Sequence, residues 1–166
     1  MSRSSAAFYV VALAAISGLM AVASLAWLPG NASAATFRVD DSGTRISSPL
    51  VPMRWRTLVP GRGSDNTAEG QAQVALRLNV LPWLNQRGRI YMAFAPAPSG
   101  DTIRATWRTQ GRLLPGSLQS GGRTVIYEGV LPSPTIEETI ELTITADGRG
   151  LASPQALQFS FEIETP

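Results

Sequence analysis

Apolar and polar side chains take turns along this chain. Between residues 137 and 148, Ile140, Leu142, Ile144 and Ala146 alternate with Thr139, Glu141, Thr143 and Thr145. A period of two sends one set to each face of an extended strand. The same rhythm recurs in Val74, Leu76, Leu78 and Val80, in Ile90, Met92 and Phe94, and in Ile103, Ala105 and Trp107. It returns at the C-terminal end in Leu157, Phe159, Phe161 and Ile163. Shorter versions run through residues 36–40, through 51–58 with Val51, Met53 and Trp55 inward, and through 123–129. A short strand is expected inside the irregular stretch 111–122. Turn residues separate the runs at 41–44, 85–88 and 147–150, and a polar loop is expected over 60–70. No segment of this region has the spacing of an amphipathic helix.

About seven to nine short strands with turn chemistry between them predict an all-β fold. Alternation with one wet face argues for antiparallel sheets. The expected architecture is an immunoglobulin-like antiparallel β-sandwich, a single domain over residues 35–166. Residues 1–34 read differently. Arg3 precedes a largely apolar run from Ala6 to Leu28, and Pro29, Gly30 and the small residues Ala32, Ser33 and Ala34 follow. A basic start, an apolar middle and an A-x-A exit predict a signal peptide cleaved after Ala34. The apolar run is also long enough to span a bilayer, so an uncleaved anchor is the alternative. Either way the domain is expected to be exported, to the periplasm, outer surface or medium.

The chain has no cysteine and no histidine, and all fourteen of its basic residues are arginine. A domain of this length buries enough surface to fold without disulfides. Ser-His-Asp triads, cysteine nucleophiles, histidine metal sites and lysine Schiff bases are excluded. Carboxylate chemistry is what remains. The adjacent pairs Asp40-Asp41 and Glu137-Glu138 would point to opposite faces of a strand, which does not build a catalytic pair. The domain is therefore expected to be non-enzymatic, with no cofactor and no metal.

Charge is unevenly spread. Residues 35–123 carry twelve arginines and five acids, whereas residues 124–166 carry one arginine and seven acids. Three uses are open. Acidic strands can pair with arginine-bearing strands of the same chain. Oppositely charged patches can join one subunit to the next. Arg54, Arg56, Arg77, Arg104 and Arg108 can form a basic sheet face for an anionic glycan or lipopolysaccharide, since the guanidinium fork grips oxyanions through two donors. Export makes nucleic acid an unsuitable partner, and only an uncleaved leader would engage a membrane. Of the tryptophans, Trp55 and Trp107 fall on inward faces and are expected in the core. Trp83 follows Pro82 near a turn and is the candidate stacking platform for a sugar.

The last strand, residues 157–164, is apolar and strongly alternating, and such a strand is adhesive if its edge is bare. An exported, helix-poor sandwich ending in this way resembles the subunits of chaperone–usher surface fibres, in architecture and strand ends. That resemblance implies a groove beside the C-terminal strand, lined by Phe159, Phe161 and Ile163. It implies a donor N-terminal segment containing Phe37 and Val39. Its partners would be a periplasmic chaperone and other subunits, joined by strand addition. The chain lacks the cysteine pair that many of those subunits carry.

Overall fold

The computed structural model describes residues 35–48, 50–57, 63, 65–97, 102–150 and 157–166. The expectations for the leader, residues 1–34, and for most of the 58–64 loop lie outside the described residues. Ten strands are present among those described: β1 Ala35–Arg38, β2 Arg45–Ile46, β3 Arg54–Trp55, β4 Thr67–Asn79, β5 Arg87–Phe94, β6 Arg104–Arg108, β7 Gly116–Gln119, β8 Arg123–Val130, β9 Thr135–Asp147 and β10 Phe159–Thr165. They form two antiparallel sheets, one ordered β1-β10-β5-β8 and the other β2-β4-β9-β6-β7, with β3 also on β4. Among the described residues no helix is long and apolar enough to cross a membrane.

The alternating side chains decide which face is buried. Leu76, Leu78 and Val80 at the end of β4, and Ile140, Leu142, Ile144 and Ala146 of β9, turn inward from the larger sheet. Ile90, Met92 and Phe94 of β5, with Phe161 and Ile163 of β10, turn inward from the smaller. Together they make one apolar cluster, and no polar or charged residue is buried among those described. Trp107 stands in it, 2% exposed, with its indole N–H satisfied by the carbonyl of Leu114 at 2.8 Å.

Three expectations change in detail. Residues 67–70, placed in a polar loop, begin β4, because β9 extends far enough to pair Thr67 with Asp147 and Gly70 with Ile144. Among the described residues of the run 51–58 only Arg54 and Trp55 form a strand, and β2 and β3 pair separately with β4. Pro52, which has no N–H for a ladder, stands between them. Trp55 is 43% exposed rather than core. It belongs to a two-residue edge strand, and its ring lies over Gly148 at the end of the sheet.

Candidate functional site

The first candidate surface is the edge of the smaller sheet. β1 lies antiparallel on β10, with Phe37 opposite Ile163 and Arg38 opposite Glu162. One residue beyond the strand, the N–H of Val39 donates to the carbonyl of Phe161 at 2.8 Å. Val39 and Ile163 are fully buried and Phe161 nearly so. The chain then leaves this sheet, and Asp40 bridges to Asn79 of the larger one. Phe37, at the open rim, is half-exposed and its ring lies 6.0 Å from that of Trp83. Four of the five expected strand-edge residues are thus brought together. The fifth, Phe159, sits farther along β10 and stacks on Phe94 of β5 at 4.6 Å. Trp83 is half-buried against the core and meets Phe37, so much of its ring is already occupied.

A polar network on the outer side of this sheet holds the same strands. The Tyr91 hydroxyl donates to Glu164 at 2.8 Å, and Arg123 donates to the other oxygen of the same carboxylate at 2.8 Å. The Arg123 guanidinium lies 4.4 Å above the Tyr91 ring and also reaches Glu162. Thr36 of β1 donates weakly to Glu164, at 3.5 Å. The Tyr91 hydroxyl, followed by Arg123, holds the Glu164 carboxyl below its ordinary value, and Glu164 in turn raises the Tyr91 phenol. Sequence reasoning missed this network. The signal available was the outward position of Glu162 and Glu164, but their arginine partner comes from β8, two strands away.

The second candidate surface is the outer face of the larger sheet. Arg56, Arg104 and Arg108 line one shallow trough on it. Arg54 lies beside that trough, opposite Glu69 in the register of β3 with β4. Arg77 lies toward the far end of β4, in a smaller hollow with Asp40 and Asn79. The five arginines therefore share a sheet but not one site. Internal pairing accounts for part of the set: Arg77 meets Glu137 at 3.1 Å and Arg56 meets Glu69 at 3.4 Å. Neither Arg54, Arg104 nor Arg108 forms an ion pair with a described residue.

The acidic neighbours Glu137 and Glu138 do point apart. Glu137 faces out to Arg77, while Glu138 accepts the backbone N–H groups of Gly111, Arg112 and Leu113 at 2.8, 2.8 and 3.0 Å. Glu138 thus fixes the loop between β6 and β7, a role its sequence setting did not disclose. Among the described residues no group of acids is arranged to hold a metal ion. Comparison of the chain with protein-family models, with curated proteins and with solved structures finds no match in any of the three.

Proposed function

We propose that this protein is an exported structural subunit of a surface fibre or envelope assembly, joined to its neighbours through strand edges. The frame is read as immunoglobulin-like. In that fold one sheet runs A-B-E-D and the other contains C, F and G. The order β2-β4-β9-β6 fits the first series, and β10-β5 fits F and C. The place beside F that the fold gives to its last strand is held here by β1, the first. The observation that carries the proposal is this antiparallel seating of β1 on β10, with Val39 buried one residue past its inner end. A first strand that closes the groove of its own sandwich has the sequence to close the same groove in another copy, by main-chain hydrogen bonds and alternate side-chain pockets. Cleavage of the leader after Ala34 would leave all of β1 intact.

The test uses the full chain and a synthetic peptide of residues 35–48. Val39→Asp puts a charge into the buried end of β1 and should loosen it. The expected results are self-association of the native protein by light scattering, and recovery of the melting temperature of Val39→Asp when the peptide is added. A stable monomer that neither takes up the peptide nor responds to Val39→Asp would remove strand exchange as the basis of assembly.

A further inference from the structure

Strand pairing leaves the outer face of the larger sheet unused. β4, β9 and β6 lie side by side there, and their outward side chains fall into rows across the strands. Glu69, Thr145 and Arg104 form one row; Gln71, Thr143 and Thr106 form the next; Gln73, Glu141 and Arg108 form the third. These rows line a shallow trough of about 740 Å³. Every side chain of the middle row both donates and accepts hydrogen bonds. An arginine closes the row on either side, and Arg104 and Arg108 stand four positions apart on the strand, about 13 Å along the backbone. Arg56 at the rim is engaged with Glu69, but Arg104 and Arg108 make no ion pair with a described residue.

We propose that this trough binds an acidic oligosaccharide, with sugar carboxylates on Arg104 and Arg108 and sugar hydroxyls on Gln71, Thr106 and Thr143. The guanidinium fork matches a carboxylate through two parallel hydrogen bonds. Among the described residues no aromatic side chain lines the trough. A protein partner would find none of the aromatic anchors that dominate protein interfaces, and single-stranded nucleic acid would find no stacking platform. Glu69 and Glu141 stand in the outer rows. They accept hydrogen bonds from hydroxyls and repel closely spaced anions, which favours a ligand with sparse negative charge on a hydroxyl-rich frame. Arg104 and Arg108, which form no ion pair among the described residues and are set apart by a neutral row, are complementary to charges carried on separate sugars.

The experiment is a calorimetric titration of the full-length protein with a tetrasaccharide of alternating glucuronic acid and N-acetylglucosamine, which carries a carboxylate on every second sugar, and with the same tetrasaccharide as its methyl ester. The acid should bind saturably and more weakly as salt rises. Its ester should bind at least tenfold less tightly. Arg104→Gln and Arg108→Gln should each weaken binding by about tenfold, the loss of a charge-assisted hydrogen bond. Both side chains are exposed, so the variants should melt like the native protein. Arg87→Gln, an equal change of charge on the other sheet, should bind as the native protein does. Absence of binding, equal affinity for acid and ester, or Arg104 and Arg108 variants that behave like Arg87→Gln would overturn the proposal. So would light scattering in which those two variants dissolve an oligomer, because the face would then serve a second copy of the chain.

Discussion

Across β6 and β7 the Trp107 ring lies over Gly116, its register partner. A Cβ at that position would meet the ring at 2.7 Å. Gly116→Ala should therefore destabilise the fold by about 1–3 kcal/mol, the usual cost of overpacking, as a lower denaturation midpoint with an unchanged slope. Ile163 of β10, beside Phe37 of β1 in the same sheet, is fully buried, and Ile163→Ala should cost about 2–5 kcal/mol. If either variant kept the native midpoint, the core packing described here would be wrong. At this scale the sequence was most legible where burial is complete. Ile103, Ala105 and Trp107 could be assigned inward from their spacing alone, and they are buried. Trp55 could not be assigned in that way. Alternation indicates which face a residue takes, but it does not indicate whether anything covers that face, and a two-residue edge strand covers little.

β9 organises the larger sheet, pairing with β4 along thirteen residues and with β6 on its other side. Its inward Glu138 also fixes the 111–113 loop. Gly111 suits that contact, since a Cβ there would meet the carboxylate at 2.6 Å. Glu138→Ala would leave the part-buried N–H of Leu113 without its acceptor, while those of Gly111 and Arg112 turn to water, and should cost about 1–3 kcal/mol. The specific signature is faster hydrogen exchange at Gly111, Arg112 and Leu113, with the amides of β5 unchanged. Unaltered exchange at those three positions would remove the carboxylate as the loop's anchor. Strand existence and face were readable from period two. The start of β4 was not, because residues 67–70 are polar and glycine-containing, and they pair only since β9 is long enough to meet them. The pairing of β1 with β10 joins residues about as far apart in sequence as the domain allows, and local pattern carries no information on such contacts.

For the whole molecule, the uneven charge along the sequence is partly resolved by folding. Arg77, Arg89 and Arg123 find acids from the later part of the chain in Glu137, Glu128, Glu162 and Glu164. These pairs are largely solvated, and exposed pairs contribute little each. They still set a pH response. Asp40 is held below its ordinary value by the Ser42 backbone N–H, Asp65 by the Thr67 hydroxyl, and Glu164 by the Tyr91 hydroxyl. Asp147 is lowered to about 2, first by its hydrogen bond from Arg149. A carboxylate depressed by folding adds stability above its unfolded pKa and loses it as pH falls through its folded pKa. The melting temperature should therefore be level above about pH 5 and decline toward about pH 2. With no histidine in the chain, no step is expected between about pH 6 and 8. A calorimetric series across that range checks both statements, and a rise in stability on acidification would contradict them. Which arginines form ion pairs among the described residues was not legible beforehand, because that depends on strand order rather than on composition.

The direction in which β1 lies has a mechanical consequence. Ala35 is opposite Thr165, so the outer ends of the two strands lie side by side. Tension applied to residues 35 and 165 would load that ladder by peeling, breaking its hydrogen bonds one pair at a time from the rim inward. A strand seated in the same groove but pulled from its far end would instead resist in shear, with all pairs sharing the load. The pairing should therefore yield readily when drawn at residues 35 and 165, and a strand in the same place drawn from its opposite end would hold far better.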